Sequence, residues 1–297
     1  MEKALVIALT FLVCSLTPSR AMAWGSAGHF LIMQRAIELL PPELKPLFIA
    51  NKDEVVMRSI DPDIWRLAGW EDDPNHFLDF GMPELGPYPF KGLPHEYDAA
   101  LEKFGMVTLK RIGTAPWREA EMFGQLRRAF EAFKRPSPPP YGVSDVVRFS
   151  AFASHYIQDG HQPLHGTNNY DGQLTGQAGL HARFETELIE RFASRLALNP
   201  AAPQSIANPR ENMFDTLLAS YDLVDPLLAA DKAAIGTKDT YDGEYYETFF
   251  SAVKPILEKR LNDSITATAA TIISAWEQAG RPAVLLTVPK QVQKVRR

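Results

Sequence analysis

Cysteine is almost missing from this chain: there is one in 297 residues, Cys14, and it falls within the first 23. The remainder therefore has neither disulfide nor thiolate, so a metal site there must use His, Asp, Glu and backbone groups. Long apolar runs are missing too. Beyond residue 23 none approaches the ~20 residues that a membrane-spanning helix needs. There is no basic excess, since 31 Lys and Arg face 36 Asp and Glu for a net charge of −5. Such a balance gives no support to a protein that coats duplex nucleic acid, which needs a basic face. It does not exclude an enzyme that grips one phosphate through metals. Strand-like alternation is scarce and no internal repeat is found.

What is present begins with a leader. Residues 1–23 carry Lys3, an apolar stretch from Ala4 to Val13, and a closing Ala21-Met22-Ala23. This is the order of a secretory signal with a small-x-small cleavage site. Cleavage after Ala23 makes Trp24 the first of 274 residues, with 29 basic and 35 acidic side chains and a net charge of −6. The expectation is a secreted or periplasmic protein with no implied protein partner. A free Trp24 amine and its own carbonyl can chelate a metal, and His29 is close enough in sequence to join them.

Helical periodicity dominates the rest. Phe30, Ile32, Met33, Ala36, Ile37 and Leu40 form an apolar stripe that stops at Pro41-Pro42. Further helices are expected over 117–133, from a Ser144-Asp145 cap to about 159, over 180–196, over 213–228, and over 244–278 with an interruption at Pro255. Segments 60–97 and 166–179 read as ordered loops, the second with four glycines. The expected architecture is all-α, a single large multi-helix domain over 24–283 with long loops. A basic, flexible tail follows over 284–297.

Two of the helices share a pattern. His155 and Asp159 are four apart, as are His181 and Glu185, so each pair lies on one helical face. Imidazole with carboxylate suits zinc. A single such pair is weak; the cluster is not. His165 follows a helix end that Pro163 helps to terminate. Upstream, Asp61-Pro62-Asp63-Ile64-Trp65-Arg66 precedes Asn75-His76-Phe77-Leu78-Asp79. Five of the seven histidines then stand beside carboxylates or the new N-terminus. His161 is read as supporting a ligand or facing solvent, and His95 as surface. Asp79 either orients His76 or caps its loop.

WGxxGH at residue 24, HYIQDGHQPLH at 155 and LHARFE at 180 resemble the zinc-dependent bacterial phospholipases C and the single-strand-specific zinc nucleases. That resemblance spans Trp24 to Glu185 and implies an all-α fold with three zinc ions in one cleft. It implies one zinc on Asp63, His76, His155 and Asp159. It implies a second on the Trp24 amine and carbonyl, His29 and a bridging Asp159, and a third on His165, His181 and Glu185. Asp63 is preferred to Asp61 because Asp63-Ile-Trp-Arg66 reproduces the DxxR spacing of the nucleases. Arg66, Asp63 and Asp159 are the expected catalytic residues, Arg66 as a donor to the charge that builds on a phosphodiester under attack.

The two branches of this superfamily are mixed here. The step from Trp24 to His29, the DxxR segment and His76-Phe77-Leu78-Asp79 resemble the nucleases. Glu185 as last ligand and the short gap from His165 to His181 resemble the phospholipases. Thr186 stands where the nucleases tend to carry a base-contacting Asn, and Ala27 where the phospholipases carry an acidic residue. Phe77 is a candidate to stack on a base, or to pack its loop on the core. Asn168 and Asn169 are candidates to line the cleft, or to build a polar turn. The first expectation is a nuclease acting on single-stranded RNA or DNA, the second a phospholipase C. The third is an exported zinc-binding protein without turnover, although a third site with only three protein ligands has the open form of a catalytic zinc.

Overall fold

The computed structural model describes residues 24–286; the leader and most of the basic tail lie outside the described residues. The chain runs through α1 (Gly25–Glu38), α2 (Lys45–Ala50), α3 (Lys52–Arg58), α4 (Asp61–Leu67), α5 (Tyr97–Ile112), α6 (Ala115–Glu131) and α7 (Gly142–Gly160). It continues through α8 (Leu180–Ala182), α9 (Leu188–Phe192), α10 (Pro209–Tyr221), α11 (Val224–Ile235) and α12 (Gly243–Gln278). Among the described residues there is no sheet, only an isolated bridge between Phe80 and Thr167. The fold is all-α, as the periodicity predicts.

α12 is the spine. It buries Phe249, Val253, Leu257, Leu261, Ile265, Ala269 and Ile272, at three- and four-residue steps, among α1, α6, α7 and α11. The helix runs unbroken through Pro255, where the sequence suggests an interruption. A proline costs a helix one hydrogen bond and a steric clash, and this apolar packing on both sides of Pro255 opposes the break. α7 is enclosed more completely, buried from Ser150 to Gly160, so its polar residues must find partners inside the protein.

Several predicted elements differ in detail. The helix expected over 213–228 is two helices, broken at Asp222-Leu223. Pro226 lies in the first turn of α11 and its ring cannot follow a helical Asp222 carbonyl, so a new helix starts there. The segment 60–97, expected as loop, holds α4 and two 3-10 turns, Asp73–His76 and Pro83–Leu85. α7 begins at Gly142, and Ser144 does not cap it. The helix from Leu180 is interrupted by a π turn over Arg183–Glu187.

A second apolar cluster fixes the long loop after α4. Leu78, Phe80, Leu85 and Phe90 pack with Ile112, Ile157, Met213 and Leu217. His76 and Asp79 are thereby held between α7 and the end of α5. No helix of the described residues is long and apolar enough to cross a membrane.

Candidate metal centre

α7 is the floor of the site. It presents His155 and Asp159 one turn apart, with His155 Nε2 3.2 Å from Asp159 Oδ2. Asp63 arrives on α4, and its carboxylate is 4.0 Å from His155 Nε2 and 3.8 Å from His76 Nδ1. His76, at the end of a 3-10 turn, brings Nδ1 to 2.9 Å from Asp159 Oδ2. His29, on the first turns of α1, stacks on His155 with ring centres 4.4 Å apart. Its Nε2 lies 3.4 Å from Asp159 Oδ1. A neighbouring group joins His165 to His181, Nε2 to Nε2 at 3.2 Å, with His181 Nε2 3.0 Å from Glu185 Oε2. The three groups His29–Asp63–His155, His76–His155–Asp159 and His165–His181–Glu185 each have the spacing of a metal site.

Each of these histidines has one nitrogen committed elsewhere. His155 Nδ1 donates to the Ser59 carbonyl at 2.7 Å, and His165 Nδ1 to the His76 carbonyl at 2.6 Å. His181 Nδ1 donates to the Tyr170 carbonyl at 2.7 Å, and His29 Nδ1 to Gln158 Oε1 at 2.6 Å. His76 is reversed: its Nε2 donates to Asp72 Oδ2 at 3.1 Å. Those bonds fix the tautomers, so the converging nitrogens carry lone pairs. Lone pairs facing each other at 3.1 and 3.2 Å, His155 on His76 and His165 on His181, repel unless a proton or a metal cation lies between them. Both carboxylate oxygens of Asp63, Asp159 Oδ1, Glu185 Oε1 and His29 Nε2 are buried with no hydrogen-bond partner. Buried carboxylates without partners are costly, and divalent cations answer that cost. Tetrahedral zinc separates its ligand atoms by roughly 3.3 Å, so the donor set and spacing fit it.

Electrostatics divide the imidazoles: burial opposes charge on His76 and His181, yet Asp159 and Asp72 raise His76 to about 9 and Glu185 raises His181. Burial, helped by His155, lowers His29 to about 4. Burial likewise lowers His165 to about 3, so both imidazoles are neutral donors near neutral pH. Burial opposes ionisation of Asp159, but His155 and His76 hold its carboxyl well below the usual range.

Residues not anticipated from the sequence hold the donors in place. Asp72 accepts from His76, from Tyr156 at 2.8 Å, from Asn75 at 2.7 Å and from Arg118 at 3.1 Å. Burial would raise its carboxyl, yet these donors keep it at about 2. This is the orienting role for which Asp79 was a candidate. The 3-10 turn sets Asp72 behind the His76 ring, whereas the extended Phe77 carries Asp79 away. Asp79 is instead buried, pushed up to about 8 by that burial and opposed by His181. The only sequence signal for Asp72 is a carboxylate four residues before a histidine. Gln158 fixes His29, and Gln162 donates to Glu185 Oε2 at 2.9 Å.

Trp24 is buried, its indole donating to the Gln158 carbonyl at 2.7 Å. Its main-chain nitrogen donates to Glu185 Oε2 at 3.0 Å, and its carbonyl accepts from Gly28 at 3.1 Å. Gly25 has φ +51°, and a Cβ there would come within 2.8 Å of Thr186 Oγ1. Thr186 therefore packs under α1. Arg66, one turn after Asp63, lies 3.2 Å from Asp63 Oδ1 and 3.4 Å from Asp73. Asp61 pairs with Arg58 at 3.0 Å, away from the cluster. Phe77 is half-buried beside His76. Asn169 bonds Thr175 and the Leu174 amide within its own loop, and Asn168 reaches across to the Gly81 carbonyl of the loop after α4, so both amides are engaged by backbone and loop groups. His161 donates to Ile157 within α7, and His95 pairs with Glu211 at the surface.

A comparison with the curated proteins finds no match. The family model described as zinc dependent phospholipase C matches residues 28–262, most of the chain and every histidine of the cluster. The protein belongs to the zinc-dependent phospholipase C family and is by that membership a zinc-dependent phosphodiesterase.

Proposed function

We propose that the protein is an exported phosphodiesterase, matured between Ala23 and Trp24, that hydrolyses phospholipid P–O bonds at a centre of three zinc ions. The observation that carries this reading is the convergence of clamped imidazole nitrogens on partnerless buried carboxylates around Asp159. Asp63, His76, His155 and Asp159 would hold one ion. The Trp24 amine and carbonyl, His29 and Asp159 would hold the second, and His165, His181 and Glu185 the third. Zinc bound there supplies hydroxide near neutral pH and polarises a phosphoryl oxygen. Asp159, between His29 and His76, would be shared by two of the sites. Arg66 is braced by Asp63 and Asp73 with its fork of donors at the centre's edge, ready for an equatorial phosphoryl oxygen.

Maturation at Trp24 has its own support. As an internal residue Trp24 has φ 49°, a left-handed conformation that a bulky side chain rarely adopts. As the first residue it has no φ to strain, and its amine stays beside Glu185.

The phospholipid reading is preferred to the nuclease because the residues expected to meet a base are engaged otherwise: Thr186 under Gly25, Asn168 with the Gly81 carbonyl and Asn169 within its loop. Phe77 favours the second reading, single-stranded nucleic acid, since its ring is partly open to a base beside His76. The test is release of diacylglycerol from phosphatidylcholine, and of nucleotides from single-stranded RNA, by zinc-loaded protein beginning at Trp24, with and without chelator. Chelator-sensitive diacylglycerol supports the proposal; nucleotides alone transfer it to the second reading. Neither product, with zinc shown to be bound, leaves a zinc-binding protein without turnover. Arg66→Ala is expected to lower turnover by about 10²–10³ with zinc content unchanged.

A further inference from the structure

Large apolar side chains are exposed on three segments that hold or border the metal centre. The first is α4 and the turn after it. Asp63 and Arg66 face the cluster; Ile64 and Leu67, one position further round the helix, face solvent at 47 % and 53 % exposure. Trp70 follows at 64 %, its ring stacked on Trp65 at 5.8 Å, and Trp65 in turn packs on Phe152 of α7. An anchored indole thus stands out from the helix that carries Asp63.

The second segment is the end of α5. Its Lys110 reaches Glu71, next to Trp70, at 2.7 Å, and its Ile112 carbonyl accepts from the Asp79 amide at 2.7 Å. One turn before Lys110, Val107 is 85 % exposed. The third is the loop 166–179, whose Tyr170 carbonyl fixes His181. Tyr170 and Leu174 are both exposed there. Scattered exposed apolar residues need no explanation; a group distributed around a reactive centre does.

Charge decides the occupant. The cations at the surface of these segments are already paired, Lys110 with Glu71 and Arg111 with Glu84, as is Arg58 on the preceding helix with Glu54 and Asp61, while Arg66 is braced at the metal centre by Asp63 and Asp73. The loop 166–179 has none. A polyphosphate strand draws its affinity from cations that it can claim, and here each would first have to leave a carboxylate. A zwitterionic lipid surface makes no such demand. It accepts apolar side chains and places Trp and Tyr at the headgroup level, where an amphipathic ring suits both sides.

We propose that Ile64, Leu67, Trp70, Val107, Tyr170 and Leu174 form an apolar rim by which the protein docks on a zwitterionic phospholipid surface. The headgroup phosphodiester then enters the metal centre from that surface. The inference rests on the phospholipid reading above, and its test separates the two.

Wild type and the double variant Leu67→Ser/Trp70→Ala are sedimented with phosphatidylcholine vesicles. Both are also assayed on a short-chain phosphatidylcholine held below its micelle concentration. The variant's partitioning should fall at least about tenfold, the scale of losing two buried apolar side chains, while monomer hydrolysis stays within about twofold. Tyr170→Ser/Leu174→Ser, on the opposite segment, should weaken partitioning in the same direction. Monomer hydrolysis with unchanged vesicle partitioning in both variants overturns the rim and leaves the phospholipid reading standing. Rim-dependent sedimentation without hydrolysis of either lipid form supports the rim and overturns that reading. Quenching of tryptophan fluorescence by single-stranded RNA that vanishes in Trp70→Ala, with no vesicle association, overturns the rim in favour of a base-stacking platform.

Discussion

Two buried acidic sites both draw on the short stretch His181–Glu185 and are satisfied in opposite ways. Around Asp159, the oxygens of Asp63 and one oxygen each of Asp159 and Glu185 have no hydrogen-bond partner. Around Asp231 the donors come from the protein. Arg183 donates twice to Oδ1 at 3.2 and 3.3 Å, Tyr245 donates to the same atom, and Gln177 to Oδ2 at 2.7 Å. Arg183 also stacks on Tyr241 at 3.9 Å and donates to the Gln177 and Ala178 carbonyls. Arg183 sits between His181 and Glu185 in sequence, and the π turn over Arg183–Glu187 separates their directions. Burial of acid alone therefore does not mark a metal site. What marks it is a set of clamped imidazole nitrogens converging on carboxylate oxygens that protein hydrogen bonds leave unsatisfied.

The largest expected effect comes from metal removal, which acts on the first cluster alone. Chelation should abolish phosphodiesterase activity and lower Tm by on the order of 10 °C or more, since several kcal/mol of metal binding is folding energy. Asp159→Ala should do the same without chelator, read as zinc content and by scanning calorimetry. An unchanged Tm on chelation would mean that the partnerless atoms are satisfied without metal, and the contrast with Asp231 would disappear.

Arg183→Met tests the other side. It leaves Asp231 buried without its cation, and loss of one partner from a buried pair costs about 3–5 kcal/mol. The loss should be the same with and without zinc when measured by urea unfolding. A loss that vanishes in the zinc-free protein would show that the two clusters stabilise each other.

Asp72→Asn touches the border between the clusters' two strategies, because Asp72 is satisfied by protein donors and in turn fixes a metal ligand. It should weaken zinc binding by about 10–100-fold while folding stability changes little. Zinc affinity equal to that of the parent would remove Asp72 from the support of His76.

The ligand pairs were legible because His155 and Asp159 on α7, and His181 and Glu185 across α8 and the π turn after it, stand at i and i+4. Asp72 was not, because nothing in Glu71-Asp72-Asp73-Pro74 says which carboxylate the 3-10 turn will place behind the His76 ring. α4 was hidden in a segment rich in Pro and Asp, yet Pro62 in its first turn fits a helix start. α5 was missed because Gly105, at φ 70°, breaks the apolar period in mid-helix. The π turn leaves no trace in periodicity at all. The paired cations and exposed apolar residues around the centre are each ordinary in sequence, and acquire meaning only from the three segments that meet there.

A third buried acid, Glu119 on α6, sharpens the contrast at the smallest scale. It is enclosed on all sides; burial raises its carboxyl well above 4.5, opposed only weakly by the Thr271 hydroxyl. Neither a histidine nor a cation balances it there, so it folds as the neutral acid. For a carboxyl whose folded value is raised, the stabilisation is complete below the unfolded value near 4.5 and is lost as pH rises toward the folded value. Glu119→Gln fixes the neutral form at every pH. Parent and variant should match in stability near pH 4, and by pH 8 the variant should be the more stable, by on the order of 1 kcal/mol or more. Urea unfolding at the two pH values reads the difference, in which titrations common to both proteins cancel. A gap that stays constant with pH would mean that Glu119 is ionised in the folded state. Some unseen cation would then be answering it, as at Asp159.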